Sequence, residues 1–119
     1  MDYLIRNLCI TRKSLAMSQP DRKEILSKDD ILNGKYETLT WEISEKNLSK
    51  TFIFEDFTEA FAFMSEVAKI AEELDHHPDW SNSWNTVEIK ITNHQAGGIT
   101  EVDLCMCAKI EETVKQWGN

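Results

Sequence analysis

Apolar and polar side chains alternate along residues 38–43. Leu39, Trp41 and Ile43 fall on one side and Thr38, Thr40 and Glu42 on the other, the two-residue period of a half-buried strand. A polar turn around Glu45 to Asn47 separates this run from a second, in which Leu48, Phe52 and Phe54 share a side, so the two are expected to pair as a hairpin. The period then lengthens. Phe57, Ala60, Phe61, Met64, Val67, Ala68, Ala71 and Leu74 recur at helical steps, and Asp56 with Glu59 has the spacing of an N-terminal cap. This helix must end before Pro78, because the residue preceding a proline is pushed out of helical geometry. The extended piece "DWSNSW" turns at Asn85 into a strand, where Val87, Ile89 and Ile91 alternate with Glu88, Lys90 and Thr92. Gly97-Gly98 breaks that strand. Thr100 and Asp103 then stand at cap spacing before a last helix striped by Val102, Met106, Ile110, Val114 and Trp117. Upstream, Asp21 to Leu32 is expected to form a short helix stopped by Asn33-Gly34. The order predicts an α+β fold: a single antiparallel four-stranded sheet with about three helices packed on one face. Residues 1–20, closed by Pro20, are assigned to an N-terminal extension and residues 21–119 to one domain.

Composition narrows the function classes. With 21 acidic and 13 basic residues, the net charge of −8 repels phosphate backbones, so no direct nucleic-acid partner is expected. No stretch approaches the roughly 18 apolar residues of a membrane span. The three cysteines, Cys9, Cys105 and Cys107, are odd in number and lack framework spacing, which predicts core thiols in a reducing compartment: the cytoplasm, with the nucleus or an organelle reached through residues 1–20 as alternatives. Cys105 and Cys107 point about 200° apart on a helix, which makes them poor co-ligands of one ion.

All three histidines, His76, His77 and His94, fall within 19 residues. Four roles fit them: surface or structural imidazoles, a metal site, a Cys-His nucleophile, or acid–base chemistry. Adjacent side chains diverge in extended backbone, which disfavours shared metal ligation by His76 and His77. The cysteines lie on a helix expected to be buried, which disfavours the nucleophile. Imidazole exchanges protons near neutral pH. A rigid His-His-Pro corner at a helix exit and a third histidine at a strand end suit that use, with Glu72 one turn before His76. Trp80, Trp84 and Trp41 offer flat walls for a planar ring, and core packing competes as their role.

The series Glu72, His76-His77-Pro78, Trp84, His94 and Asp103, with the flanking "FIFEDFTEAFAFM" and "HQAGGITEVD", resembles the pterin-4a-carbinolamine dehydratases. That family is also described as a dimerisation cofactor of a hepatocyte nuclear transcription factor. The resemblance spans roughly residues 24–115. Many members carry Tyr where this chain has Trp84, the loop between the first two strands is short, and residues 1–20 have no counterpart in shorter members.

The resemblance implies dehydration of 4a-hydroxytetrahydrobiopterin to quinonoid dihydropterin, a step in tetrahydrobiopterin recycling. In that reading His76, His77 and His94 are the catalytic set, with His76 and His94 carrying protons and His77 binding the substrate. Glu72, Pro78, Trp80, Trp84, Trp41 and Asp103 would surround the pterin. No metal or organic cofactor is implied, and a homodimer or homotetramer is. The alternative it offers is a protein-binding module that stabilises the dimers of a transcription-factor partner.

Overall fold

The computed structural model describes residues 19–34 and 40–118. Its elements are α1 (Lys28–Asn33), β1 (Glu42–Ile43), β2 (Leu48–Ile53), α2 (Phe57–Leu74), β3 (Asp79–Ser83), β4 (Thr86–Ile91) and α3 (Glu101–Val114), followed by a 3-10 turn over Lys115–Trp117. The strands form one antiparallel sheet in the order β1-β2-β4-β3. This is the α+β architecture that the apolar pattern predicts.

The centre of the sheet is the β2–β4 pair, in register from Leu48↔Ile91 to Ile53↔Thr86. The two-residue period of β4 decides what faces the helices: Val87, Ile89 and Ile91 are fully buried, and Glu88 and Lys90 face outward. α2 and α3 pack on each other and on β4. Phe52, Phe54 and Phe63 stack between sheet and helices, and Trp117 closes that cluster edge-on to Phe54 and Phe63. No helix among the described residues is long and apolar enough to cross a membrane.

Three elements differ from the sequence-based expectation. Residues 21–27 are not helical. The Asp21 carboxylate accepts from the backbone N–H groups of Lys23 and Glu24, which makes a turn. Leu26 N–H then donates to Ile99 and Val102 N–H to Asp21, so the segment is strapped across the start of α3 and only Lys28–Asn33 coils. Pro20, at the drawn domain boundary, is itself buried; residues 1–18 lie outside the described residues. The first strand shrinks to Glu42–Ile43, and Thr38 and Leu39 of the predicted run lie outside the described residues.

The third difference is the phase of α2. Its buried face is Ala60, Phe63, Val67, Ile70, Ala71 and Leu74, while Phe57 and Phe61 are exposed. α3 buries Cys105 and Cys107 within an unbroken buried run from Val102 to Ala108. Of the two, Cys107 is a buried thiol, as expected, and Cys105 is disulfide-bonded, a departure from that expectation.

Candidate active site

The site begins where α2 stops. Asp75 takes left-handed geometry, φ 50° and ψ 49°, which a short polar side chain tolerates, and its N–H donates back to the last turn of the helix. Arg22 donates from its guanidinium to the carbonyls of Leu74 and Asp75, so a cation sits on the negative end of α2. The reversed chain sends the next two side chains opposite ways. His76 turns inward: its Nε2 lies 2.5 Å from Oδ1 of Asp103, at side-chain exposures of 11% and 0%. His77 turns outward, and its Nε2 lies 2.6 Å from Oε2 of Glu72, with both side chains exposed.

Asp103 divides its carboxylate between two tasks. Oδ2 accepts from the backbone N–H of Thr100 at 2.7 Å and from its hydroxyl at 3.1 Å, which caps α3. Oδ1 is thereby aimed at His76. The sequence places Glu72 nearest His76, but the structure pairs Glu72 with His77 and gives His76 to Asp103. The left-handed turn at Asp75 is the reason, since it takes His76 off the helical face that Glu72 shares.

His94 follows β4 through a tight loop. The buried Asn93 donates from Nδ2 to the carbonyl of Arg22 at 2.9 Å and accepts from Ala96 N–H at 3.0 Å, tying this loop to the strap that holds α2. Asn93 also bridges Gly98, and Gly97 has φ 89°, where a side chain would be strained. His94 Nε2 lies 3.0 Å from Oδ2 of Asp79, the first residue of β3.

His76, His77 and His94 together line one cavity of about 270 Å³, with Arg22, Asp75 and Asn93 on its wall. Each imidazole thus has one nitrogen beside a carboxylate, a contact that fixes the ring of the buried His76 and holds the exposed His77 and His94 more loosely, and Nδ1 is left as the remaining proton-carrying atom. Three oriented imidazoles on one concave surface are able to give and to take protons on a bound molecule. No group of three or more His, Cys, Asp or Glu among the described residues is arranged to hold a metal ion.

The expected aromatic walls are placed otherwise. Trp41 is buried against Phe52, with its indole N–H donating to Glu111 at 2.7 Å, so it belongs to the core. Trp84 sits in the β3–β4 turn, 64% exposed, at the end of the strands away from Asp79 and His94. The five residues of β3, Asp79–Ser83, span about 17 Å at ~3.3 Å per residue and put Trp84 at the far end from Asp79. Trp80 is half-buried on β3 and packs on the core, and Pro78 is half-buried behind the histidine corner. Arg22, Asp79 and Asn93 escaped the sequence reading. Asp79 had a signal, since it begins an antiparallel strand whose partner runs into His94.

The family model for pterin 4 alpha carbinolamine dehydratase matches residues 24–113. A Mesorhizobium japonicum protein that carries the family's dehydratase name is 43% identical over 90 residues, which is 74% of this chain and 92% of that one. A Dinoroseobacter shibae protein of the same name is 49% identical over 73 residues, 60% of this chain and 75% of its own. Among solved structures, a transcriptional coactivator/pterin dehydratase from Brucella melitensis superposes with a TM-score of 0.68 at 31% identity, covering 76% of this chain and 98% of that one. A pterin dehydratase-like protein described as a RuBisCO assembly factor in the alpha-carboxysome shares the fold alone, with a TM-score of 0.54 at 22% identity over 66% of this chain and 94% of its own. The chain belongs to the pterin-4a-carbinolamine dehydratase family.

Proposed function

We propose that this protein dehydrates 4a-hydroxytetrahydropterins, with His76 and His94 moving the protons and His77 holding the substrate at the rim. The observation that carries this reading is the meeting of three carboxylate-anchored imidazoles on one cavity. In the substrate, carbon 4a bears a hydroxyl group and is bonded to ring nitrogen N5. One imidazolium protonates the hydroxyl, which leaves as water. A neutral imidazole takes the N5 proton, and the nitrogen lone pair becomes the second bond of C4a=N5. One proton is given and one is taken, so the protein ends with the same number it began with. In its cellular setting the step would return spent tetrahydrobiopterin to the reducible quinonoid dihydro form.

The test is a progress curve on freshly generated 4a-hydroxytetrahydropterin at neutral pH. Dehydration well above the spontaneous rate is expected, and a curve indistinguishable from the uncatalysed one would sink the reading. A second, compatible role is favoured by the exposed Phe57, Phe61 and Ile53, apolar surface of the kind that other chains cover. Self-association through it would appear in light scattering at micromolar concentration as a mass above one chain. A monomer at all concentrations would remove self-association.

A further inference from the structure

A second cavity, of about 380 Å³, shares Thr92, Asn93 and His94 with the first and adds Lys46, Lys90 and Asp79 to its wall. Its charge is unusual for this chain. Acidic residues outnumber basic ones by 21 to 13, and the ammonium groups of Lys50, Lys69 and Lys115 are each paired with a glutamate. Those of Lys46 and Lys90 have no ion pair or hydrogen bond among the described residues. Asp79 stands opposite Lys90 in the strand register, and its carboxylate is engaged by His94. Two ammonium groups that are unpaired among the described residues therefore open onto a concavity that joins the histidine cavity at His94.

We propose that this second cavity is a subsite for an anionic, phosphate-bearing side chain on the pterin; the inference rests on the dehydratase reading and names its substrate class. The chemistry of the ring supplies the geometry. The side chain of a 6-substituted pterin leaves from C6, and C6 is bonded to N5, the atom that loses its proton. With N5 within reach of the histidines, a short C6 substituent emerges beside them and enters whatever space adjoins His94. There it meets Lys46 and Lys90, point charges suited to phosphate oxygens. A neutral dihydroxypropyl chain would fit the same space without using either charge.

Stable aromatic pterins test this without generating the labile carbinolamine. The dissociation constants of 6-hydroxymethylpterin and of its phosphate ester are measured by fluorescence quenching at low ionic strength. The ester is expected to bind about five- to tenfold more tightly, in keeping with two solvent-exposed charge contacts. That advantage should shrink as salt is added. In the Lys46→Gln/Lys90→Gln double variant the ratio of the two constants should approach one, and in Lys46→Glu/Lys90→Glu it should invert. Melting curves for both variants identify loss of fold, which two exposed positions are not expected to cause. Equal affinity of wild type for the two pterins, or a preference that survives both double variants, would overturn the subsite and leave the dehydratase reading standing. Binding of neither pterin would overturn the pterin reading and the subsite with it.

Discussion

Two helices of this protein begin with the same local device and use it differently. At α1, Ser27 Oγ accepts from Asp30 N–H at 3.1 Å and the Asp30 carboxylate accepts from Ser27 N–H at 3.0 Å. At α3, Thr100 and Asp103 stand at the same spacing, and the Asp103 carboxylate accepts from Thr100 N–H at 2.7 Å. Asp30 is exposed, and among the described residues its carboxylate serves the cap alone. Asp103 is wholly buried and its second oxygen holds His76. A cap satisfies one face of a carboxylate, and burial forces the other to find a partner too. That remaining lone pair is what orients an imidazole at the cavity, so the fold obtains a fixed histidine from a residue that α3 needs anyway.

The largest effect should come from cutting both duties at once. Asp103→Ala leaves Thr100 N–H without its cap and His76 without its anchor, both in the interior. It is expected to lower unfolding free energy by about 2–4 kcal/mol, the range for losing buried hydrogen bonds to a charged group, and to abolish measurable dehydration. Asp103→Asn separates the duties. Its amide oxygen can still cap α3, but its NH₂ donates to Nε2 and so holds His76 in the other tautomer, with the proton on Nδ1 and no basic nitrogen left at the cavity. Urea midpoints near wild type with dehydration lost are expected; if both properties survive, His76 does not depend on this anchor.

The histidines continue the contrast between a buried and an exposed pair. His76→Ala and His94→Ala should each lower turnover by roughly 10²- to 10⁴-fold, the usual contribution of a positioned acid or base. They should differ in stability. Loss of His76 strands a buried Asp103 oxygen, at about 1–3 kcal/mol. Loss of the exposed His94 should cost within about 0.5 kcal/mol. Two folded variants with normal turnover would assign both imidazoles to packing.

The sheet and helix order were legible because period two and period 3.6 differ sharply in β4 and α3. The phase of α2 was not. Phe57, Phe61, Phe63 and Ile70 are all apolar, so the helix offers two overlapping stripes, and only packing against β4 and α3 selects the one with Phe63 and Ile70. The Thr100–Asp103 cap was readable locally. That Asp103 reaches a histidine 27 residues earlier is a tertiary fact, and the family resemblance offered Asp103 only as a residue around the pterin. Arg22 was invisible for the same reason, since its partners at the end of α2 lie more than 50 residues away. The tryptophans misled because an indole suits a core, an exposed turn or a ligand wall equally well by composition.

A smaller effect is expected at the rim. Glu72 and His77 are both largely exposed, so their hydrogen bond is screened by solvent and holds the ring loosely. Glu72→Gln should change kcat/KM by less than about tenfold and leave the urea midpoint within error, the range of an exposed pair. Raising ionic strength should narrow the gap between variant and wild type. A loss as large as that of His76→Ala would place His77 among the proton carriers.

The smallest effect returns to α1, where the cap has no second duty. The Ser27 backbone N–H, and then its hydroxyl, hold the Asp30 carboxyl below its ordinary value of 3.8. A group depressed in the folded state adds stability that is fully present above its unfolded value and fades as pH falls through the folded one. Any difference in stability between wild type and Asp30→Asn should therefore be constant from neutral pH to about pH 4 and disappear below it. Ser27→Ala should move the Asp30 carboxyl resonance, followed by NMR, back toward its ordinary titration. Neither change should alter dehydration, because α1 contributes no side chain to the histidine cavity. A gap that widened on acidification would mean that Asp30 is stabilised in its protonated form, and the likeness between the two caps would then be one of spacing only.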